Sequence, residues 1–448
     1  MNLHLRSLRL LLLLAAGCLL FAGCADDIAP AAPPAVQPSA AATTAPARPA
    51  VQPDAAALAA PAPAPVVAAP ASVAEVIAAN NAFGLRLYKT IAAAEGSKNL
   101  FLSPASIAMA LAMTYNGAQA ETKLAMAATL GLSGYDVDDV NRANRTLLAA
   151  WDGADPAVKL ALANSLWAKH DLTFKETFLQ RNRTFYQARV EPIEFMAPSA
   201  CKTINAWVSE KTMGKIDNLI KQEDLTADTI LILINAIYFK GIWKEQFDPK
   251  LTKERAFNLA PDATKNWPMM ARDSSFEYLQ TLEFQAVRLP YGGGRMHMLV
   301  LLPAATSSLK ALQAALTPER WRAWAAQFHS AEGVVVLPKF KLEYETMLNT
   351  PLCALGMAIA FDRQHADFKA MADLRERICI DKVRHKAFVE VNEEGTEAAA
   401  ATSVGMMRTT AAMPMGKFHM VVDRPFLFAI CDRETEAILF LGSVVEPR

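Results

Sequence analysis

Most of what marks an enzyme is missing from this chain. Its 448 residues contain no G-x-S-x-G nucleophile turn, no H-E-x-x-H metal motif and no G-x-x-x-x-G-K-[ST] phosphate loop. The commonest hydrolase, metalloprotease and nucleotide-binding chemistries therefore have no residues to act through, and no catalytic residue is assigned. Histidine is scarce, and its seven copies are scattered. Cysteine is scarcer, at six; Cys201, Cys353, Cys379 and Cys431 have no metal-ligand spacing and read as lone buried thiols, although an exported chain could pair them. No metal and no cofactor is expected. Charge of one sign is also lacking: 45 basic residues balance 45 acidic ones, which gives no hint of a nucleic-acid partner. Among only 19 glycines, the run Gly292-Gly293-Gly294 lies between two apolar strands with no helix pattern after it, so a hairpin turn is favoured over a phosphate cradle. Asn144-Arg145-Thr146 and Asn182-Arg183-Thr184 are formal glycosylation sequons that carry no weight by themselves.

Long apolar runs are likewise absent, except at the start. Arg6 and Arg9 precede an apolar stretch from Leu10 to Ala22 that is too short to span a bilayer comfortably and reads as an export signal. Its end, Leu20-Phe21-Ala22-Gly23-Cys24, resembles the lipobox of bacterial lipoproteins, which makes Cys24 the lipidated first residue of the mature chain. Phe21 stands where that motif usually has Leu, and Ala15-Ala16-Gly17-Cys18 is a weaker competing site, so cleavage with release is the alternative to anchoring. Ala25 in place of Asp favours the outer membrane by the same resemblance. Residues 25–71 are almost wholly Ala, Pro, Val, Gln, Thr and Ser, cannot bury enough surface to offset ordering, and read as a disordered tether. Contact with a membrane is expected through the lipid alone.

What is present begins at Ser72. With 52% hydrophobic residues overall, the remaining 72–448 can fill one large core. Ser72-Val73-Ala74-Glu75 has capping-box spacing, followed by Val76, Asn80, Phe83, Leu87 and Ile91 at helical intervals. Ser103-Pro104 predicts a second helix with Ile107, Leu111 and Tyr115 on one side and Gly117 as its stop. Ile230 to Phe239, Val287 to Pro290, Met296 to Leu302, Gly333 to Pro338 and Phe426 to Ile430 read as buried strands. Helices and strands mixed without regular alternation or a repeat period imply an α+β domain.

The most informative stretch is Glu393-Glu394-Gly395-Thr396-Glu397-Ala398-Ala399-Ala400-Ala401-Thr402-Ser403-Val404. Alanine-rich runs usually favour helix, yet Gly405, Pro414 and Gly416 break one and describe an exposed connection. In an extended chain Thr396, Ala398, Ala400, Thr402, Val404 and Met406 share one face. Apart from Glu397 the other face is small. Such a segment suits water as a loop and also fits between two strands of a sheet.

From His385 to Ala400 this stretch resembles the reactive-loop hinge of inhibitory serpins nearly residue for residue. NLFLSPASIAMALAMTYNGA from Asn99 looks like the serpin shutter helix, NAIYFKGIWKEQFD from Asn235 resembles the strand and turn that follow, and DRPFLFAICDRETEAILFLGSVVEP from Asp423 is similar to the C-terminal signature. The resemblance implies a serpin fold, with a large central sheet, smaller sheets, about eight to nine helices and an exposed loop near the C-terminus. It also implies a monomeric suicide inhibitor whose partner is a serine or cysteine protease held as a covalent acyl complex. The cut loop would enter the central sheet as a new strand; this family is itself a standard example of strand addition, so the general rule lends no independent support. About ten new backbone hydrogen bonds at roughly 1 kcal/mol each, with Val404 and Met406 at roughly 2 kcal/mol each, rival the stability of a whole domain. Distortion of the protease's oxyanion hole would then stop deacylation.

By the same resemblance Gly395 is the pivot, Thr396 enters the sheet first, and Glu393 to Ala401 form the hinge. Ser103, Ser106, Asn235 and His385 take the shutter positions, where hydrogen bonds hold the sheet closed. The family's usual interval places the attacked bond at Thr409-Thr410, with Arg408-Thr409 as the alternative if the register is one shorter. The first register suits an elastase-like protease and the second a trypsin-like one. A non-inhibitory serpin-fold carrier, or a structural surface lipoprotein, is the alternative class; the uninterrupted Ala398 to Ala401 count against it.

Overall fold

The computed structural model describes residues 69–373, 377–396 and 416–448. Nine α-helices occur among the described residues: α1 (Val73–Glu95), α2 (Pro104–Tyr115), α3 (Ala120–Leu130), α4 (Val137–Trp151), α5 (Glu176–Tyr186), α6 (Ala200–Lys211), α7 (Leu309–Ala315), α8 (Pro318–Ala325) and α9 (Asn349–Leu352). Ser72 caps α1 in a reciprocal box with Glu75, as the spacing predicts. Ala69, within the span that composition assigns to the tether, is already tied to the body: its N–H donates to Gly134 O at 2.8 Å and its carbonyl accepts from Asp136 N–H at 3.0 Å. Helix α2 starts on the Ser103 cap with Pro104 in its first turn. It stops at Tyr115 with Asn116 as its C-cap, one turn position ahead of Gly117. Every one of its residues is buried, as expected of a helix that is apolar all round.

The strands are β1 (Leu100–Leu102), β2 (Val158–Lys169), β3 (Arg189–Ile193), β4 (Leu231–Ile242), β5 (Lys253–Ala260), β6 (Ala263–Gln280), β7 (Phe284–Pro290), β8 (Met296–Pro303), β9 (His329–Pro338), β10 (Phe340–Met347), β11 (Lys382–Val391), β12 (Gly395–Thr396), β13 (Phe418–Val421), β14 (Phe426–Asp432) and β15 (Ile438–Val444). Nine of them make one sheet in the order β1-β15-β14-β8-β7-β6-β9-β13, with β5 paired to β6. The other sheet has six strands in the order β10-β11-β12-β4-β2-β3. Helices and mixed sheets interleave without strand-helix alternation, so the fold is α+β. The glycine run Gly292-Gly293-Gly294 turns the chain between β7 and β8, with φ of 44° at Gly292 and 98° at Gly294, a conformation that suits glycine.

Two apolar clusters sandwich the six-stranded sheet. The larger one includes α1 and α2 side chains such as Phe83, Leu87 and Leu111. The smaller one puts Ile204, Trp207 and Val208 of α6 against Trp167, Tyr238 and Phe388 on three neighbouring strands. The sheet is thus covered by apolar side chains on both faces.

Candidate functional site: a forked central sheet

Strands β4 and β11 run parallel and pair directly from Lys382↔Ile232 to Phe388↔Tyr238. Beyond that point they part, and β12 lies between them: Thr396 pairs with Val391 on one side and Gly241 on the other. Sequence reasoning has Thr396 enter the sheet after the loop is cut. Instead, Gly395 and Thr396 already occupy the fork in the intact chain.

A local turn makes this geometry. The Asn392 side-chain carbonyl accepts from the N–H groups of Glu394 at 3.1 Å and Gly395 at 3.2 Å, while Asn392 N–H donates to Gly395 O at 2.9 Å. An Asn side chain that satisfies the backbone ahead of it favours reversal over continued strand. The turn is also clasped from outside: Trp243 N–H donates to Glu394 O and its indole N–H to Asn392 O, both at 2.9 Å, and Phe247 N–H donates to Glu393 O at 2.9 Å. The Glu393 carboxylate sits 2.9 Å from the Lys339 ammonium and accepts from the Thr252 hydroxyl at 2.8 Å. Burial would push its pKa up, but the Lys339 and Thr252 contacts outweigh that and hold it below the ordinary carboxylate value, so it stays ionised.

Gly395 has φ of 157°, and a Cβ on it would lie 2.1 Å from Gly241 O. Close approach to the β4 backbone therefore demands glycine. Thr396 is completely buried. Its hydroxyl lies 2.6 Å from the Tyr291 hydroxyl, and the Tyr291 ring stacks on Trp243 with centroids 4.4 Å apart and packs edge-on to Phe239 at 5.1 Å. Burial raises the Tyr291 pKa, so the phenol is neutral and shares a single hydrogen bond with the Thr396 hydroxyl.

The shutter residues meet in one place. Register puts Asn164 of β2, Asn235 of β4 and His385 of β11 side by side across three strands, beneath the start of α2. Asn235 donates from Nδ2 to Ser106 Oγ and, at 2.6 Å, to Asn164 Oδ1. Its Oδ1 is 2.5 Å from His385 Nδ1. His385 Nε2 accepts the Ser103 N–H at 3.3 Å, which puts the imidazole proton on Nδ1, pointing at Asn235. Burial lowers the His385 pKa to about 3, in keeping with a neutral ring. Ser103 Oγ donates to Leu439 O at 2.7 Å and accepts from Ser106 N–H at 3.3 Å. The His385–Asn235 bond crosses the gap between β4 and β11, so that gap cannot open without losing it.

Of the sequence-derived residues, Ser103, Ser106, Asn235 and His385 converge at the shutter, and Glu393, Glu394, Gly395 and Thr396 at the fork. Glu397, Ala398, Ala399, Ala400, Ala401, Arg408, Thr409, Thr410 and Cys24 lie outside the described residues. Sequence reasoning missed Tyr291, Trp243, Lys339 and Asn164. Trp243 sits inside a segment that marks the resemblance; the other three leave no local signal, because their partners are far away in the chain. Asn144 and Asn182, the sequon asparagines, are buried, where no glycan can be accommodated. Among the described residues no His, Cys, Asp or Glu cluster is arranged to hold a metal ion, and no helix is long and apolar enough to cross a membrane.

Comparison with known proteins places this geometry. The family model described as "Serpin (serine protease inhibitor)" matches residues 78–447. Serpin B6 of Macaca fascicularis is 38% identical over 377 residues, covering 82% of this chain and 98% of that one. Leukocyte elastase inhibitor A of Rattus norvegicus is 36% identical over 383 residues, covering 83% and 100%. The crystal structure of native protease nexin-1 with heparin aligns with a TM-score of 0.76 at 30% identity, over 84% of this chain and all of the other. These relatives give no support to the reading as a bacterial lipoprotein type. A six-stranded sheet split by Gly395 and Thr396, a buried polar cluster beneath α2 and a match along nearly the whole globular region have one meaning: the chain belongs to the serpin family.

Proposed function

We propose that the protein is a suicide-substrate inhibitor of serine proteases. The protease hydroxyl attacks the carbonyl of the scissile bond, forming an ester to the chain and releasing a new amino terminus. The hinge then advances between β4 and β11 and carries the esterified protease with it. The observation that carries this reading is the seating of Gly395 and Thr396 between two strands still paired below them, in line with the path the hinge would take. Small residues from Ala398 to Ala401 support it, because nothing in them obstructs further advance.

Thr409-Thr410 is the proposed attacked bond, with Arg408-Thr409 as the neighbouring register. The name of the rat relative supports an elastase-like target. The test is a panel of elastase- and trypsin-like proteases run against the parent and Thr396→Arg. A charge at a completely buried site is costly, so the parent should yield an SDS-stable adduct and the variant only cleaved chain. Equal adduct formation by both would sink the mechanism. Mass spectrometry of the released fragment identifies the register. Export, with lipid attached at Cys24 or with release, is proposed from the N-terminal pattern; mass measurement of the mature N-terminus decides it.

A further inference from the structure

A second feature lies away from the fork, where α1 ends. The sequence there is Ile91-Ala92-Ala93-Ala94-Glu95-Gly96, and the chain between β8 and α7 is similarly made of small residues, Ala304-Ala305-Thr306-Ser307-Ser308. With no large side chain to fill the space, a pocket of about 990 Å³ stands between α1, the end of β5, the start of α7 and the Asp423–Pro425 segment that leads into β14. That volume falls at the upper end of the roughly 300–1,000 Å³ of small-molecule sites. Ala92, Ala93, Leu259, Pro303, Leu309 and Val445 contribute apolar wall.

Its charges are unbalanced. Lys89 spends its ammonium on two neutral acceptors, Ala314 O at 3.0 Å and Leu316 O at 3.2 Å. Arg424 donates to Pro303 O and to Asp423, the one carboxylate in the lining. Lys310 has no ion-pair or hydrogen-bond partner among the described residues, and it is exposed at the pocket. Three cations thus face a single carboxylate already in use. An apolar wall beneath an uncompensated ammonium selects an amphipathic anion. A neutral apolar ligand would leave Lys310 unmatched, and a cation would be repelled.

We propose that this pocket binds a small amphipathic carboxylate of the fatty-acid class, with the hydrocarbon chain against the α1 and β5 wall and the carboxylate at Lys310. The inference is independent of protease inhibition. The test titrates the full chain calorimetrically with decanoate below its micellar concentration, and in parallel with decyltrimethylammonium, which has the same chain length and opposite charge. Decanoate should bind at one saturable site and raise the unfolding midpoint, weakening as salt screens the head group. Lys310→Glu replaces attraction by repulsion and should weaken decanoate about tenfold. Ala93→Trp, placed on the exposed side of α1, should fill the pocket and abolish saturable binding. Absence of saturable decanoate binding overturns the proposal, as does equal binding of decyltrimethylammonium or decanoate affinity unchanged by Lys310→Glu.

Discussion

Strands β4 and β11 are bolted together at one end and parted at the other, and the two ends are built from opposite materials. At the shutter the joint is a buried row of polar side chains, Asn164, Asn235 and His385, whose hydrogen bonds are shielded from bulk solvent. At the fork the joint is a backbone hairpin clasped by Trp243 and Tyr291. Separating the first would leave several buried polar groups unpaired at the same time. The second is held by backbone hydrogen bonds, which under the proposed mechanism each advancing residue would exchange for new ones on both sides. Under that proposal the sheet stays closed at the shutter and opens from the fork.

Substitutions at the two ends should separate these behaviours. The largest effect is expected from Gly395→Val. With backbone oxygen 2.1 Å from the Cβ position, the side chain cannot be accommodated, and the hinge should be expelled from the fork. Limited proteolysis near Glu394 should then cut the variant far faster than the parent; equal resistance would show that β4 can shift aside. Asn235→Ala comes next, since it strands His385 Nδ1, Asn164 and Ser106 in a buried site at about 1–3 kcal/mol for each unsatisfied group. Its unfolding midpoint should fall, and it should convert spontaneously to an inactive form with its loop inserted, detectable as lost inhibitory titre on mild heating.

A smaller change is expected for Tyr291→Phe, which removes one buried hydroxyl pair worth about 1 kcal/mol. The ring stack survives, so global stability should shift little while hinge protection in hydrogen exchange drops near Thr396. If exchange there is unaltered, the hydroxyl bond does not hold the hinge. A further effect is acidic and is read as a slope against pH. His385 titrates near 3 in the fold against an ordinary 6.5, so the unfolded chain takes the proton first. Its contribution is complete above about pH 6.5 and is lost as pH falls towards 3. His297 is shifted the same way by burial, also to about 3, so the comparison must be with His385→Gln. Between about pH 6.5 and 5, above the carboxylate range, the parent's unfolding midpoint should decline more steeply than the variant's.

Local chemistry was the legible part. Ser72 with Glu75, Ser103 with Pro104 and the glycine turn at 292–294 each act through neighbours a few residues away, so their roles can be read directly. Hinge and shutter were legible only through resemblance, because no local rule explains why Asn235 should face His385. Tyr291, Lys339 and Asn164 stayed hidden for the same reason. Their meaning lies in partners more than fifty residues distant, and a lone Tyr after Pro290 looks like any core aromatic.

From the residues alone came the α+β character, the family likeness and a segment small enough to live either in water or in a sheet, since all three depend on composition and short-range pattern. Only the tertiary structure decided that Gly395 and Thr396, at the start of this segment, already lie between β4 and β11. That outcome rests on a balance between a turn at Asn392, a clasp from Trp243 and Tyr291, and the closed shutter below. Those groups are brought together by strand pairing over long stretches of chain.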